Sequence, residues 1–199
     1  MKQRLFRFPF LLVALLIAAT TLASPLPVPL SELFPNPTQT KAAIVINKVL
    51  ERYHYRKVAL DRDFAASVLD RYLKALDPSR TFFQVRDVER FQNGARQLDE
   101  SLRRGELDVA FDIFRVYRMR VDERVAHALK LLDGRFDFGT AETFTFESDE
   151  TPWARDAAEL DERWRKRVKH DFLSLRLADK SDDEVRDRLA EGGPIGHLF

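Results

Sequence analysis

The chain has 199 residues, 45% of them hydrophobic and 33% charged, which suits one ordinary domain with accessory segments. Seven glycines are too few for a turn-rich all-β fold, while sixteen phenylalanines supply core-filling bulk without polar atoms. The absence of cysteine excludes disulfide staples and thiolate metal sites, and a formal net charge of +1 is not the basic excess of a nucleic-acid binder.

The first segment, MKQRLFRF, carries Lys2, Arg4 and Arg7 ahead of an unbroken apolar run, Phe10 to Ala19. Thr21 and Ala23 then stand at −3 and −1 of a cut before Ser24. That order predicts a secretory signal peptide over residues 1–23, with an uncleaved anchor as the alternative. The apolar run is short for a permanent span, and without cysteine there is no lipoprotein cleavage site. Cleavage would leave 30 basic against 32 acidic residues. Residues 24–37 hold five prolines and no sustained period, which predicts an extended Pro-rich arm.

From Thr38 the pattern turns helical, with Val45, Val49 and Tyr53 on one face and Ile46 and Leu50 beside them. A second helix is expected after Asp61, which can cap it. Its buried stripe is expected at Phe64, Val68, Tyr72 and Leu76, widened by Leu69 and Leu73, and Pro78 ends it. Residues 77–83, DPSRTFF, then read as a joint between helices, with Phe82 and Phe83 pinning it to the bundle. A third helix is expected over about Gln84–Arg104, anchored by Val85, Val88, Phe91 and Leu98, with Gly105 as its stop.

The longest helix is predicted from Glu106 to Asp133. Its seam is Leu107, Phe111, Phe114, Val121, Val125, Ala128 and Leu132, with Arg118 at the one polar position. Asp133 to Trp153 alternates Phe136 with Phe138 and Phe144 with Phe146, which fits a short hairpin or an extended strap. Helix returns near Asp156, with Leu160, Trp164, Val168 and Phe172 in four-residue steps. The run SDDE, Ser181 to Glu184, predicts a capping box and one more helix. The expected fold is therefore all-α, a bundle of about five to six helices with a Phe-rich strap. It occupies residues 38–190, and residues 191–199, ending GGPIGHLF, read as an aberrant or truncated end.

No residue type falls in a pattern that assigns chemistry. His54, His127, His170 and His197 are scattered, with no HExxH and no pair at i, i+4. Ser67 and Ser101 lie in helical patterns, and Ser79, Ser148, Ser174 and Ser181 are flanked by charged or turn residues. None sits in GxSxG or SxxK. Asp61, Asp63 and the SDDE carboxylates fall at helix starts, where negative charge complements the helix dipole. The runs RVYRMR and ERWRKRVKH are interleaved with Asp and Glu, as on a mixed-charge solvated face. Catalytic, cofactor-binding and metal-binding residues are each expected to be absent.

Four blocks, ERYHYRKVALDRDFAASVLDRYLKALDPSRTFF, RDVERF, LRRGELDVAFDIFRVYRMRVDERV and RWRKRVKHDFLSLRLADKS, together resemble a known family. They are similar, from about Ile44 to Glu184, to the N-terminal helical region of the tail-specific, or carboxy-terminal processing, serine proteases of bacterial periplasms. The resemblance implies an exported, periplasmic protein. In that family a PDZ domain that takes substrate C-termini and a protease domain with a lysine-activated serine follow this region. No position of this sequence matches that dyad, so the expectation is a non-catalytic scaffold or interaction domain, not an enzyme by itself. The partners implied are the PDZ and protease domains, protein substrates and a helical-repeat lipoprotein adaptor, with no nucleic acid and no stable membrane span. Without those domains, the apolar faces around Leu69, Leu73, Phe82 and Phe83 are expected to be partly exposed. The alternative is a stand-alone secreted helical binding module.

Overall fold

The computed structural model describes residues 28–53 and 61–192, so the expected signal peptide and residues 193–199 lie outside it. The chain divides into two units, Met1–Glu32 and Leu33–Phe199. In the first, the described residues form a single 3-10 turn, Leu30–Glu32, closed by the Glu32 N–H donating to the Pro29 carbonyl at 2.9 Å.

The second unit is all-α. Its described residues form helices α1 (Pro37–Tyr53), α2 (Arg62–Leu76), α3 (Val85–Gly94), α4 (Leu98–Arg104), α5 (Asp108–Leu132), α6 (Ala157–Leu177) and α7 (Asp182–Gly192). There are seven rather than five or six because the expected Gln84–Arg104 helix is broken. Past Asn93 and Gly94, both poor helix formers, it tightens into a 3-10 turn, Ala95–Gln97, and restarts at Leu98. Both halves still bury the anticipated anchors Val88, Phe91 and Leu98, whereas the fourth, Val85, is only half-buried.

The helix ends follow local chemistry. Asn36 closes the Pro-rich arm by accepting the N–H groups of Thr38 and Gln39 at 3.0 Å each, and Pro37 takes the first helical position, where its missing N–H is harmless. Asp61 caps α2 through the Phe64 N–H at 2.9 Å, and Asp156 caps α6 through the Glu159 N–H at 2.9 Å. The SDDE box forms as expected. Glu184 accepts from the Ser181 N–H at 2.9 Å, and the Ser181 hydroxyl oxygen accepts from the Glu184 N–H at 3.3 Å. Gly105 ends α4 in the left-handed region, φ 72°. Here glycine is also a spacer: a Cβ would stand 2.5 Å from Ile44 Cγ1 and 3.0 Å from the Thr40 carbonyl. Its bareness lets α1 lie against the end of α4, where the Asn47 amide donates to the Leu102 carbonyl.

Two hydrophobic clusters fill the unit, and α5 runs through both. One gathers Ala65, Leu69 and Leu73 of α2, Phe83, Val88 and Phe91, Leu98 of α4, and Ile113 and Val116. The other gathers Phe82, Val121, Ala128 and Leu132 with Leu160, Trp164, Val168 and Phe172 of α6 and Val185 and Leu189 of α7. Two expected stripes are displaced. On α2 the buried row is Ala65, Leu69 and Leu73, with Phe64, Val68, Tyr72 and Leu76 only half-buried. On α5 the seam holds at Val121, Ala128 and Leu132. Its first half turns instead to Ile113 and Val116, and the inward positions 120 and 124 are arginines. A 25-residue helix cannot keep one stripe on one neighbour: α5 meets α3 near one end and α6 near the other, so its buried face rotates between them.

Residues 133–156 form the strap rather than a hairpin. Among the described residues the only bridge is an isolated parallel pairing of Gln84 with Ala154. Phe136 and Phe138 pack on Phe172 at centroid distances of 5.3 and 6.1 Å, and Phe144 and Phe146 flank His170. No helix among the described residues is long and apolar enough to cross a membrane.

Candidate functional site

The DPSRTFF block forms a buried knot. Asp77 caps the C-terminus of α2, its N–H donating to the Leu73 carbonyl at 2.9 Å. Pro78 then stops the helix, and Arg80 turns the chain through the left-handed region at φ 53°. The chain therefore curls back over the Asp77 side chain. Its carboxylate accepts the N–H groups of Thr81 at 2.8 Å, Phe82 at 2.9 Å and Phe83 at 3.0 Å. Burial pushes the Asp77 carboxyl above its ordinary value, against the three N–H donors and Arg80, which favour the charged form. Trp164 reaches in from α6 and donates its indole N–H to the Thr81 carbonyl at 2.7 Å.

Phe82 and Phe83, adjacent in sequence, enter different clusters. Phe82 packs on Trp164 at 5.8 Å and Phe83 on Phe91 at 5.4 Å, while Tyr117 of α5 touches both at 5.6 and 5.8 Å. The joint thus rivets the two clusters onto one helix. Beside it, Arg120 forms a paired clasp on Asp87 at 2.8 and 2.9 Å and also reaches Glu123 at 2.8 Å. Asp87 in turn accepts the Gln84 N–H at 3.1 Å, which starts α3. The burial corrects one expectation: Phe82 and Phe83, with Leu69 and Leu73, are core residues and not an exposed face.

Several of the residues weighed for chemistry make local contacts within or beside their own helices. The Ser174 hydroxyl donates to the His170 carbonyl one turn back, and Ser181 and Glu184 share the α7 cap. His170 Nδ1 lies 3.1 Å from Asp171, and His127 Nδ1 lies 3.8 Å from Asp161; His54 and His197 fall outside the described residues. Among the described residues no three acidic or histidine side chains gather in a metal-binding group. The basic runs are largely paired: Arg163 with Glu159, Arg165 with Glu142 and Glu162, and Lys169 with Glu142.

Glu142 latches the strap to α6, accepting from Arg165 and Lys169 at 2.7 Å each. The hydrogen bonds from those two cations hold its carboxyl at about 2, below the ordinary 4.5. Glu159, held by Arg155 and Arg163, also lies at about 2. A folded-state value below the unfolded one means the unfolded chain takes up protons first as pH falls. The contribution of both groups is therefore complete above about 4.5 and lost towards about 2. Melting temperatures measured across that window should fall steadily, and the fall should be shallower in Glu142→Gln. An identical profile for the variant would remove the latch.

The exposed surface is dominated elsewhere by one helix face. While Thr40, Ile44 and Asn47 hold α1 to the end of α4, Val45, Ile46, Val49, Leu50 and Tyr53 are exposed, Tyr53 to 72% and Val45 to 59%. Five large apolar side chains in three turns exceed the scatter of single exposed residues on an ordinary surface. Their periodicity is plain in the sequence, but periodicity alone cannot tell an internal face from an external one.

A family model described as the tail specific protease N-terminal domain matches residues 46–192. A tail-specific protease from Haemophilus influenzae is 35% identical over 143 residues, covering 71% of this chain and 21% of that protein. The chain thus spans about a fifth of the length of the curated relative that it matches.

Proposed function

The chain belongs to the family of tail-specific protease N-terminal domains, and from that premise we propose that it is the non-catalytic helical body of a periplasmic tail-specific serine endopeptidase. In this reading peptide-bond cleavage and recognition of substrate C-termini reside in PDZ and protease domains, and the helical unit braces them. Protein chains are the substrates of the whole assembly. The observation that carries the reading is the bare stripe Val45, Ile46, Val49, Leu50 and Tyr53 on a helix otherwise fixed to the body. An apolar face of this kind is suited to a large, permanent contact rather than to water. The joint at Asp77 supports the same role, since it ties both clusters to α5.

The test supplies the portion of the Haemophilus influenzae tail-specific protease that this chain does not match as a separate polypeptide. The purified chain alone is expected to leave an unstructured reporter peptide with an apolar C-terminus uncut, and to bind that portion on mixing. Val49→Asp should weaken binding by tenfold or more, as about 1.4 kcal/mol corresponds to each factor of ten, while leaving the melting temperature unchanged because Val49 is exposed. Cleavage by the chain alone, abolished by one Ser→Ala substitution, would overturn the non-catalytic assignment. Equal binding by Val49→Asp would remove α1 as the contact.

A further inference from the structure

Residues 143–147, Thr-Phe-Thr-Phe-Glu, run extended on the surface, and among the described residues none of their backbone N–H or carbonyl groups is hydrogen-bonded. Threonine and phenylalanine are strong strand formers. Alternate side chains of an extended chain point to opposite faces. Phe144 and Phe146 both rest on His170, at centroid distances of 4.8 and 5.3 Å, and on each other at 4.9 Å. Phe144 is thereby half-buried against α6 while Phe146 stays 71% exposed, Thr143 and Thr145 are exposed, and the lateral backbone groups are left unpaired. The far end of the same strap already pairs through its backbone: the Val85 N–H donates to the Ala154 carbonyl at 2.9 Å. Two recesses flank the segment. One, of about 220 Å³, has an apolar wall of Phe138, Phe144 and Leu173 facing a charged one of Glu142, Lys166 and Lys169; the other, of about 260 Å³, lies between Phe146, Arg163 and Lys166.

We propose that residues 143–147 are a docking edge for an extended polypeptide segment, which joins the strap by backbone hydrogen bonds and seats one apolar side chain in the recess of Phe138, Phe144 and Leu173. The occupant is selected by the row of unpaired donors and acceptors. Only another extended backbone repeats N–H and carbonyl groups at the same rise and can meet them in register. A helix cannot, because its own backbone groups are already paired along its axis. The smaller recess has room for a single aliphatic or aromatic side chain, which sets a preference for an apolar residue at one position. Lys166, whose recorded acidic partner Glu162 is 3.9 Å away, stands on the rim of both recesses and favours a carboxylate nearby. The site stands on the strap alone and does not depend on the bracing role of the unit.

The probe is a fluorescein-labelled heptapeptide of alternating threonine and leucine with an aspartate at each end, titrated into the purified chain and read by fluorescence anisotropy. Saturable binding is expected, with slowed amide exchange confined to the strap. The same peptide with alternate amides N-methylated should bind about tenfold more weakly or not at all, because its donors are removed while its side chains are kept. Thr145→Pro should produce a similar loss with an unchanged melting temperature, since the Thr145 N–H has no partner in the folded chain and proline is at home in extended backbone. Thr145→Val should bind as the parent does. Absence of saturable binding, equal binding of the methylated peptide, or undiminished binding by a folded Thr145→Pro variant would each overturn the proposal.

Discussion

Asp77→Ala is expected to lower the stability of the helical unit by roughly 3–5 kcal/mol, enough to leave a marginal domain largely unfolded. The reason is the number of groups that one carboxylate satisfies. Three N–H donors, from Thr81, Phe82 and Phe83, converge on it in a site closed to water. Alanine would leave all three unpaired, and each orphaned donor costs about 1–3 kcal/mol when buried. Asp77→Asn should fall between, because its single carbonyl oxygen can still accept while its amino group faces donors. Urea denaturation of the parent and both variants measures the ranking. A loss below about 1 kcal/mol for alanine would mean that water replaces the carboxylate, and the joint would no longer be the organising centre.

Trp164→Ala is expected to cost about 3–5 kcal/mol by a different route. The indole is 1% exposed and touches Phe82, so its removal opens a cavity in the larger cluster and orphans the Thr81 carbonyl. Trp164→Phe keeps much of the volume and loses the N–H, so a penalty nearer 1–2 kcal/mol is expected. The double variant Asp77→Ala, Trp164→Phe should lose less than the two single changes added together. Both act on the same short stretch at Thr81, and once the loop has loosened the indole has less to hold. Additive losses in denaturation midpoints would show that carboxylate and indole work independently.

The candidate surfaces were legible in the sequence to different degrees. The α1 stripe could be read residue by residue, because Val45, Val49 and Tyr53 recur with the helical period. Its exposure could not, because whether an apolar stripe is covered depends on which elements come to rest beside it. The same limit applies to Phe82, Phe83, Leu69 and Leu73: their reading as pins and stripe of the bundle holds, while the partial exposure also expected of them does not, since they lie buried between helices. Arg120 and Arg124 show the converse. Arg120, in the RVYRMR run, reads as a surface cation on a mixed-charge helix, yet it is buried against Asp87 33 residues earlier, and Arg124 is likewise buried against Asp161 37 residues later. Pairings of that separation leave no trace in local spacing.

The sequence by itself determined what depends on neighbours along the chain: the caps at Asp61 and Ser181, the return of helix near Asp156, the stop at Pro78, and the helical class. These features rest on bonds that close within a few residues. Only the tertiary structure decided which face of each helix is inside, how α5 divides its length between two clusters, and that Asp77 gathers three N–H groups beneath Trp164. Those outcomes depend on which distant segments share a volume, because burial and unpaired polar groups are priced by the whole packing and not by the local pattern.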